Sequence, residues 1–347
     1  MVTGDLASLE TFYNVIKTRV YTQHLNSDIG LLTSGTSSGP SAENAVLIDW
    51  PMAERDGYDS SVTYNTVLNA VAVGTYEALA KIAYATGNDK EAATFEELAD
   101  GIRTTMIDLL YNEETGMFSD GLTAEGTPAE HCAQHATAYA LAYGIYDNQA
   151  MADDMAAAIA DQGEIRMSVY GSYFLLKGLY ESGNGDVANA LMLDENVEEG
   201  ARTWAYMMYM MDATITTEAW NSTIKNNMTL SHAWGAAPAY AITRGIFGIT
   251  PTTPGYATFD VRFQTEGIGK ASIAVPTVKG DVEASFDSTG ATYTASVTVP
   301  ANTKATIYLP ATEGATLTVN GEAAQGSYKN GFISLTVGSG EWNFEVK

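Results

Sequence analysis

Two short stretches gather carboxylates, a histidine and tryptophans in a chain that has only five tryptophans and four histidines. One is Leu47-Ile48-Asp49-Trp50-Pro51, with Glu54, Arg55 and Asp56 just beyond it. The other is residues 216–221 (TTEAWN), holding Glu218 and Trp220, followed by residues 231–234 (SHAW) with His232 and Trp234. A carboxylate gives or takes protons, and a flat indole covers the apolar C–H face of a sugar whose hydroxyl rim needs polar partners. The combination points to carbohydrate chemistry. The plain alternative is that the tryptophans fill core gaps while Glu218 caps a helix or faces solvent.

Other chemistries find less support. His131 and His135 stand at i, i+4, the spacing that sets two imidazoles on one helix face, but Cys132 sits where a metalloprotease helix needs glutamate. The remaining histidines, His24 and His232, do not complete a zinc set, so the pair is read as helix packing and no metal or cofactor is expected. There is no G-x-x-x-x-G-K-[ST] phosphate loop and no G-x-S-x-G elbow. With 17 Lys+Arg against 42 Asp+Glu, the net charge of −25 repels phosphate backbones and argues against nucleic-acid partners. No apolar run is long enough for a membrane span, and residues 1–20 lack the apolar block of a signal peptide. Cys132 is the single cysteine, so no intrachain disulfide forms.

The elements that must position these residues change in kind near residue 248. Before it, apolar residues recur at three and four. Leu6, Leu9, Tyr13, Ile16, Val20 and His24 mark one helix face, and a second helix is expected from an N-cap at Asp59 to a stop at Gly87. A third starts at Asp89 with Phe95, Leu98, Ile102, Met106 and Leu109 on one stripe. Further helices are expected around 130–145, 150–161, 166–182, 200–212 and 229–247, joined by Gly/Asn turns into serial hairpins. After the proline-bearing link at 248–255 (GITPTTPG), Thr/Val/Ile alternation such as 291–299 and an Asn320-Gly321 turn predict antiparallel strands. The expectation is a mainly α domain over 1–247 and a β-sandwich over 248–347. With 46% hydrophobic residues and 17% charged, both should bury ordinary cores.

Four stretches carry a family resemblance: residues 47–58 (LIDWPMAERDGY), 131–145 (HCAQHATAYALAYGI), 216–221 (TTEAWN) and 231–256 (SHAWGAAPAYAITRGIFGITPTTPGY). With Asn69 between the first two, they resemble the C-terminal part of inverting α-L-rhamnosidases of glycoside hydrolase family 78, and the likeness covers nearly the whole chain. It implies an (α/α)6 barrel, here incomplete, with a β-sandwich after it. It also implies release of terminal α-L-rhamnose from glycosides, oligosaccharides or polysaccharides. Glu218 of TTEAW resembles the family's general base, which deprotonates the water attacking the anomeric carbon while a second carboxylic acid protonates the leaving oxygen. His232 of SHAW resembles a contact to sugar hydroxyls, and Trp50 of IDW an aromatic wall of the rhamnose pocket. Asp49 and Trp220 resemble further substrate contacts, although Asp49 is equally placed to act as a cap.

The chain departs from the family in one respect. The general acid of the family lies in an acidic motif with Arg and Trp, well upstream of the DW element. Here only 48 residues precede Asp49, and they contain no such motif. Glu54, Asp56 and Asp59 lie nearby, but their spacing favours none of them as a replacement. The chain is therefore expected to correspond to the C-terminal portion of a longer polypeptide, to bind rhamnose, and to hydrolyse rhamnosides poorly alone. Two other readings stay open: another sugar-active enzyme on the same toroid, and a non-catalytic carbohydrate-binding remnant. An extracellular or periplasmic setting is implied by the resemblance alone.

Overall fold

In the computed structural model, which describes residues 1–20, 22–34 and 46–347, the three- and four-residue spacing becomes a series of α-helices. Among the described residues these are α1 (Leu6–Lys17), α2 (Thr66–Ala85), α3 (Asp89–Leu110), α4 (Gln134–Ala142) and α5 (Gln149–Asp161). They continue as α6 (Ser172–Glu181), α7 (Gly185–Met192), α8 (Trp204–Tyr209) and α9 (Ala237–Tyr240). A π-helical turn follows over Ala241–Ile246.

The pair α2–α3 is a helical hairpin. Asn65 caps α2, its side-chain oxygen accepting the Leu68 N–H at 3.0 Å. Gly87, at φ +75, supplies the left-handed turn into α3, and Tyr76 stacks on Phe95 across the hairpin with centroids 6.2 Å apart. The expected cap at Asp59 is corrected. Its carboxylate accepts the Ser61 N–H and hydroxyl in a local turn, and the chain then runs extended as β1 (Tyr64–Asn65) before α2 begins.

α4 is buried on every side, which explains why its composition has no polar face. α6 crosses it closely at Gly178, where an added Cβ would lie 2.7 Å from Leu141 Cβ and 2.8 Å from the Ala142 amide. Of the stripe expected on α1, Tyr13 is buried, whereas Leu6 and Ile16 are exposed. α7 was not expected from the sequence, because its Gly- and Asp-containing first turn reads as a loop. Three more two-residue strands, β2 (Tyr111–Asn112), β3 (Met117–Phe118) and β4 (Gly121–Leu122), lie between α3 and α4, with β4 pairing β1.

Contacts divide the chain into two units. One comprises Leu6–Val187 and Leu191–Ala237; the other comprises Met1–Asp5, Ala188–Ala190 and Pro238–Lys347. The division thus falls at Pro238, ahead of the 248–255 link. The second unit holds β5 (Thr250–Pro251), β6 (Thr258–Arg262), β7 (Lys270–Thr277), β8 (Gly280–Asp287), β9 (Tyr293–Val299) and β10 (Lys304–Pro310). It continues with β11 (Leu317–Val319), β12 (Glu322–Ala324), β13 (Ser327–Lys329), β14 (Phe332–Val337) and β15 (Gly340–Val346). These form a five-stranded sheet, β13-β14-β10-β6-β5, and a six-stranded sheet, β12-β11-β15-β9-β8-β7.

Alternate residues of β8, β9 and β10 are buried, and Phe263 meets Phe286 edge-on at 6.0 Å in the core between the sheets. Asn320 (φ 50) and Gly321 (φ 84) make the hairpin turn between β11 and β12, as their sequence predicts. The strands of this unit pair antiparallel, as expected, except that β6 and β10 run parallel, because the chain crosses to the other sheet between them.

Candidate active site

The DW stretch is an anchored loop. Asp49 is fully buried, and four donors converge on its carboxylate. Oδ1 accepts the Trp50 N–H (2.7 Å) and the Ser168 hydroxyl; Oδ2 accepts the Ser168 N–H (2.9 Å) and faces His135 Nε2 (2.8 Å). Downstream, Arg55 Nε donates to the Asp49 carbonyl (2.8 Å) and Asp56 Oδ2 accepts the Gln134 N–H (2.9 Å). That last contact satisfies an amide at the start of α4, which has no side-chain cap of its own. Asp56 reaches it with a positive φ of 49. Tyr58 donates its hydroxyl to the Asp120 carbonyl. With its flanks held in this way, Trp50 stands 47% exposed.

Glu54, in the same loop, is fully buried and pairs with Arg202, with N···O distances of 3.2–3.4 Å. Burial pushes its carboxyl above the ordinary range, while the Arg202 charge and hydrogen bonds pull it back part of the way.

The second stretch closes on itself. The His232 N–H donates to the Thr216 carbonyl (2.9 Å), and the Glu218 N–H to the Thr229 carbonyl (3.0 Å), so residues 216–232 form a loop with paired ends. Gly235 lets the chain after His232 pass close by, since a Cβ there would lie 2.6 Å from the Thr217 carbonyl oxygen. The short spacing between TTEAWN and SHAW therefore brings Glu218 and His232 together.

Glu218 Oε2 accepts the Thr229 N–H (2.8 Å) and hydroxyl (3.2 Å), and Oε1 lies 3.2 Å from Lys225 Nζ. His232 Nδ1 is 4.0 Å from Oε2 and 2.8 Å from the Thr229 hydroxyl. The Thr229 amide, first, and then Lys225 hold the Glu218 carboxyl below the ordinary glutamate range, outweighing its partial burial. It is a carboxylate kept ionised.

A third segment, which the sequence did not single out, joins the two stretches. Ser168 binds Asp49, while the carbonyl of Met167 accepts the Trp220 indole N–H at 2.8 Å. Tyr170 lies 5.5 Å from Trp234, whose indole N–H donates to the Glu218 carbonyl (2.9 Å) and whose ring is 4.8 Å from His232. No motif marks Ser168 or Tyr170 in the sequence; Trp234 was visible as part of SHAW.

Asp49 and Trp220 do not fit the expectation of direct substrate contact. Neither is exposed: Asp49 is saturated by protein donors, and Trp220 packs edge-on against Trp204 at 5.0 Å in the core. The paired histidines also diverge. His131 precedes α4 and binds Asp120 at 2.7 Å, while His135 lies within α4 and binds Asp49. Among the described residues no group of three or more His, Cys, Asp or Glu is arranged to hold a metal, and no helix is long and apolar enough to cross a membrane. In the β unit, an open groove of about 600 Å³ lined by residues such as Ser272, Ser285, Ser296 and Asn343 contains none of the candidate site residues.

A family model described as the bacterial alpha-L-rhamnosidase 6 hairpin glycosidase domain matches residues 1–246, and one described as the bacterial alpha-L-rhamnosidase C-terminal domain matches residues 248–324. An alpha-L-rhamnosidase of Formosa agariphila is 24% identical over 331 residues, covering 92% of this chain and 33% of that protein. The solved alpha-L-rhamnosidase from Dictyoglumus thermophilum superposes with a TM-score of 0.75 at 18% identity, covering 100% of this chain and 38% of that one. That of Streptomyces avermitilis, complexed with L-rhamnose, gives 0.73 at 21% identity, covering 100% of this chain and 31% of that one. At such identities the structural likeness speaks for the fold. The chain spans about a third of the length of these relatives.

Proposed function

Since the chain belongs to the bacterial α-L-rhamnosidase family, we propose that it supplies the sugar-holding and water-activating side of an inverting glycoside hydrolase acting on terminal α-L-rhamnose. The substrate is a rhamnose-terminated glycoside, oligosaccharide or polysaccharide. Glu218 is the general base, His232 contacts sugar hydroxyls, and Trp50 is the aromatic wall. Asp49 and Trp220 hold the two stretches in place from beneath. One observation carries the reading: a carboxylate held ionised, with an imidazole nitrogen 4.0 Å away, on a loop tied through Met167 and Ser168 to an exposed tryptophan.

A base must be deprotonated to accept a proton from water. The donors on Glu218 favour its charged form, so the acidic limb of kcat/KM is expected to fall below the ordinary glutamate range near pH 4.3. Glu54, Asp56 and Asp59 are each engaged by donors of this chain, so none of them is assigned as the acid. The test follows cleavage of an α-L-rhamnoside by proton NMR. β-L-rhamnose should appear first and mutarotate to the mixture, with activity persisting into acid. Initial release of the α anomer would replace inversion by retention and remove the base role from Glu218.

A further inference from the structure

We propose that Ser168 is a positioning residue that, through Asp49, sets Trp50 against the Glu218 segment; this rests on the reading of Trp50 as the wall of the sugar site. Ser168 is 1% exposed and Asp49 is fully buried, so every polar atom between them needs a protein partner. The Ser168 hydroxyl donates to Asp49 Oδ1, the same oxygen that takes the Trp50 N–H at 2.7 Å, while the Ser168 N–H takes Oδ2. The serine oxygen also accepts the N–H groups of Tyr170 (3.1 Å) and Gly171 (3.0 Å) at the approach to α6.

One hydroxyl thus links the backbone of the DW loop to the turn before a helix. On the far side of that turn, the Met167 carbonyl holds Trp220, two residues beyond Glu218. The Tyr170 ring lies against Trp234, which binds the Glu218 carbonyl. Gly171 keeps the joint tight, because a Cβ there would come 2.7 Å from Asp49 Oδ2. His135 steadies Asp49 from α4 at Oδ2, and hydrogen-bonds neither to Asp49 Oδ1, which accepts the Trp50 N–H, nor to the Met167 carbonyl, so its part is support.

Removing the hydroxyl leaves Asp49 with the Trp50 N–H, the Ser168 N–H and His135. The fold is therefore expected to survive while the DW loop loosens. A merely structural serine would lower thermal stability without changing what the folded protein binds. A positioning serine changes the setting of Trp50. The experiment uses two readouts on the whole chain: the Kd of L-rhamnose, and acrylamide quenching of the Trp50 emission, isolated by subtracting the spectrum of Trp50→Phe.

Ser168→Ala is expected to weaken L-rhamnose binding about tenfold, the size of one hydrogen bond to a charged group. It should also make Trp50 more quenchable. In a Trp50→Ala background the same substitution should change Kd less than about twofold, since the path to the sugar is already gone. Unchanged quenching of Trp50 in Ser168→Ala overturns the proposal, as does an equal loss of affinity in both backgrounds. If the parent chain binds no L-rhamnose but Trp50 quenching still responds to Ser168→Ala, the sugar-site reading fails and the positioning role stands. Should Ser168→Ala not fold, Ser168→Cys, which keeps a weak donor of similar shape, is read in the same way with smaller shifts.

Discussion

Glu218→Gln is expected to lower turnover of an aryl α-L-rhamnoside by about 10²–10⁴-fold, the range general-base assistance typically supplies. Glutamine keeps the size of the side chain and an oxygen for the Thr229 amide, so the 216–232 loop should stay closed. What it loses is the capacity to take a proton from water. An aryl leaving group departs with little protonation, so the assay reports the base without depending on the identity of the acid. Affinity for L-rhamnose should change little, which places the loss in kcat rather than KM. Azide, a nucleophile that needs no deprotonation, should restore turnover to Glu218→Ala and yield a β-rhamnosyl azide. Equal turnover in Glu218→Gln and the parent would assign the base elsewhere.

The second large effect is on stability. Arg202→Met is expected to cost about 3–5 kcal/mol at neutral pH, because it leaves the fully buried Glu54 without its cation. The sign of its pH dependence follows from Glu54. Burial already holds this carboxyl above its ordinary range, and without Arg202 it rises further. A group raised in the folded state contributes stability that is fully present below its unfolded pKa and is lost as pH rises through the folded value. The deficit of Arg202→Met should therefore be greatest near neutrality, shrink as pH falls through the raised folded value, and be smallest once pH is below the ordinary carboxylate range. The double substitution Glu54→Gln with Arg202→Met removes both charges and should recover much of the loss. Chemical denaturation at several pH values decides this; a deficit that does not vary with pH would mean that Glu54 does not depend on Arg202.

The sequence made the helical and strand-rich tracts legible because periodicity depends on which face is buried, and that pattern is local. α3 begins at Asp89, the start expected for the helix carrying the Phe95–Leu109 stripe, and the Asn320-Gly321 turn falls between β11 and β12. The misplaced start of α2 shows where local reasoning stopped. Asp59 has the residue type of a cap, but pairing of β1 with β4 keeps the chain extended as far as Asn65. Pairing with a distant segment leaves no mark at Asp59.

The site divided in the same way. Glu218 and His232 were legible as residue types and meet through the closed 216–232 loop. Asp49 and Trp220 have site-like types but are buried, because Ser168 and the Met167 carbonyl bind them from a segment with no motif. Residue type gave their chemistry; only tertiary contacts decided which way they face. The parallel pairing of β6 with β10 was likewise invisible, since alternation is the same in parallel and antiparallel edges.

The central claim is that the DW stretch, Glu218 and His232 form one rhamnose site. Calorimetric titration of the chain with L-rhamnose, beside Trp50→Ala and His232→Ala, tests it most directly. The account predicts saturable binding at a single site, weakened about tenfold or more by each substitution, as expected for a lost stacking surface or a lost polar contact. L-rhamnose binding with the same affinity in the parent and in both variants would contradict it.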